Sequence, residues 1–331
     1  MIQHARTLHE AATRAAADHD GVVSRRLLRA VGVDRDEVRR QLRAGRWRSH
    51  GRWTIAVHTG DLSPLARRWR AVWEVGERIA VIDGASALHH RGLKGFTTEG
   101  IHVSIPHTAT PHAVEGVVQH KVRRPSPRTA APGALPVATP GPAAVRAAHW
   151  ARSDREAALI LVLPVQQRLV TGDQLLSATT SVQGRTRRKF IRTIAADIAL
   201  GAQALGELDF ARICRRHALP EPDRQVVRQG PRGRIYLDVR WACGLVVEID
   251  GAGHRWGLAV SEDNLRRNSG TLSGDLVLQI DTVGLRLFEA TFMEQVVAAH
   301  RLLMGEGQHA DDSSARIPSP EGRGAVGGAT Q

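Results

Sequence analysis

Residues 233–254 read GRIYLDVRWACGLVVEIDGAGH and contain two β-type runs joined by a short connection. Apolar and polar side chains alternate over residues 235–241, and a second apolar run follows over residues 245–250. The connection, Ala-Cys-Gly at 242–244, ends in glycine, where a three-residue turn needs a left-handed residue. This pattern predicts a β-hairpin.

The register of that hairpin follows from its turn. Asp238 would face Glu248, and Tyr236 would face Asp250 on the same side. Because like charges directly opposite each other destabilise a sheet, two facing acids need a divalent cation, a shared proton or a basic neighbour. Mg2+ binds carboxylate oxygens, and metal-bound water can hydrolyse a phosphodiester. Spacing alone leaves a second interpretation open, in which the acids lie on the solvated face of an ordinary hairpin.

The same residues carry a family resemblance. An Asp, then about ten residues later Glu-x-Asp-Gly and a His, resembles the core of restriction-endonuclease-like (PD-(D/E)XK) nucleases. The nearest similarity is to the branch resembling very-short-patch mismatch repair (Vsr-like) endonucleases, and it covers residues 201–304. The resemblance implies a C-terminal α/β domain with a mixed sheet and a Mg2+- or Mn2+-dependent DNA endonuclease. The catalytic residues that it implies are Glu207, Asp238, Glu248, Asp250 and His254.

Within that set, the resemblance implies distinct roles. Asp238 and Glu248 would hold the metal, Glu207 would orient its water, and His254 or Asp250 would assist proton transfer. Asp250, however, stands where the superfamily pattern has a lysine. An inactive nuclease-like domain, or one that binds a partner protein, is therefore the alternative.

Residues 1–58 show the order of elements of a winged helix-turn-helix. An Ala-rich helical segment comes first, and Ser24 is a good N-cap for a helix over residues 25–30. Asp34 caps a second helix that extends to Ala44. Residues 46–57 then read as a two-stranded wing with its turn at His50-Gly51.

Positive charge is concentrated in this region, since residues 21–53 contain ten Arg and only three acids. Arg35, Arg39 and Arg43 recur every four positions and so form a stripe on the second helix, the element that enters the major groove in such folds. Wing residues would contact phosphates, although a solvated basic helix face is the alternative interpretation. The predicted DNA-binding residues are Arg25, Arg26, Arg35, Arg39, Arg43, Arg48 and Arg52.

Residues 21–57, GVVSRRLLRAVGVDRDEVRRQLRAGRWRSHGRWTIAV, also resemble the N-terminal domain of AbiEi-type antitoxins of type IV toxin–antitoxin (abortive-infection) systems. The resemblance implies a transcriptional regulator that represses its own operon. It also raises a cognate toxin protein as a partner.

Composition limits the partners and the cellular compartment that fit this chain. The net charge is +13, from 46 Lys+Arg against 33 Asp+Glu, which favours nucleic acid as a partner. The two cysteines exclude a disulfide framework and fit a reduced, cytoplasmic compartment, and no apolar run reaches the roughly 18 residues of a membrane span. We expect a multidomain α/β protein: the winged helix (1–58), a middle α/β region without an assigned role (59–180), the endonuclease-like domain (181–304) and a disordered tail (305–331).

Overall fold

The computed structural model describes residues 2–124, 133–200, 208–229, 235–250, 264–265, 268 and 277–305. The protein is of the α/β class, and the described strands form three sheets, two of which mix parallel and antiparallel pairs. None of the described helices is long and apolar enough to cross a membrane. The predicted site residues Glu207 and His254, and residues 306–331 of the predicted tail, lie outside the described residues.

The N-terminal unit consists of three helices and a small antiparallel sheet with the strand order β1-β3-β2. Both predicted N-caps are confirmed, since the side chain of Ser24 accepts from the backbone N–H of Leu27 and that of Asp34 from the N–H of Glu37. The elements are α1 (Ile2–Ala17), β1 (Val22–Ser24), α2 (Arg25–Ala30), α3 (Arg35–Arg43), β2 (Arg48–Ser49) and β3 (Thr54–Ala56).

The wing strands are shorter than the sequence predicts. The pattern indicates strands over residues 46–49 and 52–57, whereas only Arg48–Ser49 and Thr54–Ala56 pair. Helix α4 (Pro64–Val75) explains the difference, because the backbone N–H groups of residues 52–54 all donate to the carboxylate of Glu74 on that helix. The loop of the wing is therefore held by α4 in addition to the cross-strand hydrogen bond from the N–H of His50 to the carbonyl of Thr54, at 3.0 Å.

One continuous hydrophobic core joins β1, β3 and α4 to the middle of the chain. Ile191 and Ile194 of α9 belong to this core, and so does Val283. The elements are β4 (Val81–Ile82), α5 (Gly84–His90), β5 (Ile101–Pro106), β6 (Val117–Val122), α6 (Pro140–Trp150), α7 (Asp154–Gln166), α8 (Gly172–Ser181) and α9 (Arg188–Leu200).

The C-terminal sheet has the strand order β10-β9-β8-β7, with β9 and β10 parallel and the other pairs antiparallel. The predicted hairpin is confirmed together with its register, and Gly244 in its turn has the expected left-handed φ of +91°. The apolar face of the sheet packs on Phe210 and Phe292. The elements are α10 (Phe210–Arg216), β7 (Arg224–Gln229), β8 (Ile235–Arg240), β9 (Val246–Asp250), β10 (Val277–Asp281), α11 (Thr282–Leu287) and α12 (Glu289–Leu303).

Candidate nucleic-acid interface and carboxylate site

Helix α3 presents a basic outer face. Arg35, Arg39 and Arg43 are exposed along it, while Glu37 and Val38 on the opposite face are 1% and 3% exposed. Arg39 pairs with Asp36 at 3.2 Å, whereas Arg35 and Arg43 form no ion pair with another described residue. The stripe predicted from the four-residue spacing is thus present on the surface, and most of its charge faces solvent.

The buried carboxylate of Glu37 fixes the rest of α3. It accepts a hydrogen bond from Arg40 and another from Gln41 Nε2 at 2.6 Å. Gln41 Oε1 in turn accepts from Arg46 Nε at 2.6 Å, in the segment that leads into the wing. The side chains of Arg40 and Arg46 therefore form hydrogen bonds within the protein. This chain of contacts sets the position of the wing relative to α3.

The wing adds an exposed aromatic side chain that the sequence analysis did not select. Trp53 is 38% exposed, and the guanidinium of Arg52 lies 4.9 Å from its ring centroid. Arg25 Nε donates to the backbone carbonyl of Arg52 at 3.0 Å, which ties the start of α2 to the wing. Arg48 is exposed on β2, whereas Arg26 pairs with Glu77 at 3.1 Å. The sequence could have identified Trp53, because it is an aromatic residue next to Arg52 in the predicted wing.

The second site is the polar face of the C-terminal sheet. Asp238 on β8 is the register partner of Glu248 on β9, and Glu248 is the partner of Gln279 on β10. Asp250 follows two residues after Glu248, so it lies on the same face. Asp238 is 3% exposed, and Arg240 Nε donates to its Oδ1 at 2.9 Å. Gln279 Nε2 lies 3.5 Å from Glu248 Oε2.

Arg240 is the basic neighbour that two facing acids require. The hydrogen bond and the charge of Asp238 raise the pKa of the Arg240 guanidinium, which marks a favourable interaction between the two side chains. Asn268 fixes the neighbouring strand, since its side chain both donates to and accepts from the backbone of Gln279, at 2.9 and 3.0 Å. The ion pair with Arg240 therefore offsets part of the repulsion between Asp238 and Glu248.

The polar face of the C-terminal sheet supplies part of the donor set that a Mg2+ or Mn2+ site needs. Asp238, Glu248 and Asp250 offer the carboxylate oxygens that these cations prefer. Across the residues that the structure describes, however, no group of three or more His, Cys, Asp or Glu side chains is arranged to hold a metal. The described residues alone thus do not complete such a site, and Glu207 and His254 fall outside them.

Neither protein-family models nor curated proteins match this chain. Among solved structures, it is similar to the Rv2827c protein from Mycobacterium tuberculosis, with 19% sequence identity and a TM-score of 0.34. That similarity covers 57% of this chain and 75% of the other.

Proposed function

We propose that this protein binds duplex DNA through a winged helix-turn-helix in residues 1–58, with α3 in the major groove and the β2–β3 loop on the phosphate backbone. The exposed arginine stripe on α3 carries this proposal, because two of its three charges have no ion-pair partner among the described residues. The order of α1, α2, α3 and a two-stranded wing supports it, since folds of this type read base edges with the second helix of the motif.

Fluorescence anisotropy with duplex fragments from upstream of the gene tests the proposal. Replacing Arg39 and Arg43 together by Ala should weaken binding by about tenfold or more and should make it less dependent on salt. The control is Arg212→Ala with Arg301→Ala, which removes the same charge from exposed positions on α10 and α12. Equal affinity of wild type and the α3 variant would rule out the proposed interface.

A second candidate function is metal-dependent cleavage of phosphodiesters in DNA, which the facing positions of Asp238 and Glu248 favour. These two residues would hold Mg2+ or Mn2+, and a bound metal would supply an activated water. Glu207, Asp250 and His254 remain the predicted additional members of the site.

Calorimetric titration with Mn2+, together with a plasmid-nicking assay, tests this second candidate. Wild type should bind and nick, Asp238→Ala with Glu248→Ala should do neither, and Asp173→Ala with Glu294→Ala should behave as wild type. The control pair removes two exposed acids from elsewhere on the surface. Absence of both activities in wild type would remove the endonuclease proposal and leave the DNA-binding proposal standing.

The ion pair between Arg240 and Asp238 favours the remaining alternative, a regulator of the antitoxin type whose nuclease-like domain is inactive or binds a partner such as a toxin protein. An autorepressor requires a protected operator near its own promoter. Footprinting of that region with wild type and with the Arg39→Ala, Arg43→Ala variant tests this alternative directly, because only wild type should protect the site.

A further inference from the structure

A pocket of about 550 Å3 lies beside α6, well separated in sequence from both sites described above. We call it the basic pocket. The end of β6, the last residues of α6 and the segment from α8 to α9 line it. Among the residues that the structure describes, its lining contains no Asp or Glu. The basic residues of the lining are Lys121, Arg123, Arg124, Arg146, His149, Arg185 and Arg188.

A buried ion pair anchors one side of the basic pocket. Arg146 on α6 pairs with Asp83, and their side chains are 7% and 0% exposed. Arg146 Nη2 also donates to the backbone carbonyl of Arg124 at 2.6 Å. The Arg123–Arg124 segment is thereby fixed against α6, although the charge of Arg146 itself is already balanced by Asp83.

Arg187 anchors the opposite side. Its guanidinium donates to Asp154 Oδ1 at 2.6 Å and to the carbonyls of Ala151 and Arg152 at 2.8 and 3.1 Å. Its backbone has a φ of +57°, a conformation that non-glycine residues seldom adopt. Arg187 thus fixes the connection between α8 and α9, and its neighbours Arg185 and Arg188 contribute to the lining of the basic pocket.

Most of the positive charges that line the two sides of the basic pocket have no acidic partner among the described residues. Lys121, Arg123, Arg185 and Arg188 are exposed, and none of them forms an ion pair with another described residue. The side chain of Arg124 is likewise exposed and forms no ion pair with another described residue. A cleft lined by one sign of charge concentrates ions of the opposite sign. Holding several cations together is unfavourable until such an ion binds, so the arrangement indicates a ligand with more than one negative charge.

We propose that the basic pocket binds a phosphate ester that carries more than one negative charge. Arginine presents parallel N–H donors that match the oxygens of phosphate, and charge-assisted hydrogen bonds of this kind are the strong ones. The volume falls within the range of small-ligand sites. Two sources share this chemistry: a free nucleotide, and the phosphorylated end of a nucleic-acid strand. The proposal does not depend on DNA binding by α3, since the two sites have no residue in common.

Calorimetric titration of the full chain with three probes tests the proposal: ATP, inorganic pyrophosphate, and a single-stranded oligonucleotide with a 5′-phosphate. At least one probe should bind saturably. Arg185→Ala with Arg188→Ala should weaken that binding about tenfold or more, because two charge-assisted contacts are lost. The matched control is Lys189→Ala with Arg192→Ala, which removes two exposed cations that do not line the basic pocket.

The pattern of results identifies the source of the phosphate. Binding of ATP and pyrophosphate without the oligonucleotide assigns a free nucleotide, and the reverse pattern assigns a nucleic-acid end. Either pattern supports the proposal if the Arg185→Ala, Arg188→Ala variant binds the probe more weakly than wild type does. Saturable binding of none of the probes, or equal weakening of both variant pairs, overturns it. If the oligonucleotide is the only probe that binds, and its binding is lost only with Arg39→Ala and Arg43→Ala, the proposal is also overturned, while DNA binding by α3 stands.

A second variant tests the proposal independently in case the first pair of substitutions destabilises the protein. Lys121→Ala with Arg123→Ala changes exposed side chains on the opposite side of the basic pocket, so it repeats the test if the first pair lowers the melting temperature. Unchanged probe affinity in this variant, with the fold intact, would also overturn the proposal.

Discussion

Thr54 donates both its backbone N–H and its hydroxyl to the same oxygen of Glu74, Oε1, at 2.8 and 2.7 Å. The backbone N–H of Trp53 donates to that oxygen as well, and that of Arg52 donates to Oε2, each at 2.8 Å. Glu74 is 3% exposed, so these donors replace the water that its carboxylate gives up on folding. One acid on α4 therefore sets the conformation of the wing loop.

Glu74→Gln tests that role with little change in volume. An amide group offers N–H where the carboxylate offers an acceptor, so at least one backbone N–H of the wing loop loses its partner. We expect the free energy of unfolding in urea to fall by about 1–3 kcal/mol. Glu77→Gln, at an exposed position just beyond α4, is the control and should have a much smaller effect. Equal losses in the two variants would contradict the assigned role of Glu74.

Gly51→Ala tests the same contact from the wing. Gly51 has a φ of +144°, and a methyl group there would overlap the carboxylate of Glu74. Gly45 also has a positive φ, +65°, but open space surrounds its Cβ position. Thermal unfolding should show a modest loss for Gly45→Ala, about 1–2 kcal/mol, and a larger loss for Gly51→Ala. Similar melting temperatures for both variants would show that backbone conformation alone decides the loss.

The buried pair of Asp83 and Arg146 should show strong coupling. Asp83 is 0% exposed, and its Oδ1 also accepts from the N–H of Gly84 at 2.7 Å at the start of α5. Arg146→Met leaves that carboxylate without its cation, which costs about 3–5 kcal/mol in buried pairs. Adding Asp83→Asn should recover part of the loss, since no charge then remains buried. Purely additive losses in a double-mutant cycle would show that the two side chains act independently.

His120 makes stability depend on pH. Burial, and to a smaller extent the neighbouring His102, lowers its pKa from 6.5 to about 3. Between these values the unfolded chain binds a proton that the folded chain does not, so stability is full above about pH 6.5 and falls as pH falls towards 3. His120→Phe removes the titration while keeping a ring that can stack on Trp150, as His120 does at 3.5 Å between centroids.

Melting temperatures measured from about pH 7 to about pH 4.5 check this prediction. The His120→Phe variant should lose less of its melting temperature across that range than wild type. Other half-buried histidines also have lowered pKa values, among them His89 and His149, so part of the acid sensitivity should remain in the variant. A slope identical to that of wild type would show that His120 contributes nothing.

The features that the sequence predicted correctly depend on interactions between residues close together in the chain. The caps Ser24 and Asp34 act on backbone groups three residues away, so their residue type and position suffice to predict them. The pairing of Asp238 with Glu248 follows from strand alternation and one short turn. Arg240 could have been found by the same reasoning, because it lies two residues from Asp238 and thus on the same face of β8.

Contacts between distant segments were beyond such reasoning. Glu74 binds a loop about twenty residues earlier in the chain, and nothing in its own surroundings distinguishes it from an ordinary helical acid. The basic pocket combines three segments between Lys121 and Arg188 that only the packing of α6 to α9 brings together. The core position of Ile191 likewise depends on partners in α6 to α8, which the pattern of α9 alone does not identify.

Arg240→Gln tests how the facing acids of the carboxylate site are stabilised. Without the cation beside Asp238, the repulsion between Asp238 and Glu248 is compensated less well, so the melting temperature at neutral pH should fall. Arg301→Gln, at an exposed position on α12, should leave it unchanged. If the two acids also bind a divalent cation, millimolar Mn2+ should restore the melting temperature of Arg240→Gln but not that of Arg240→Gln with Asp238→Asn. Equal effects of Mn2+ on both variants would place the cation elsewhere in the protein and would contradict its binding by the two acids.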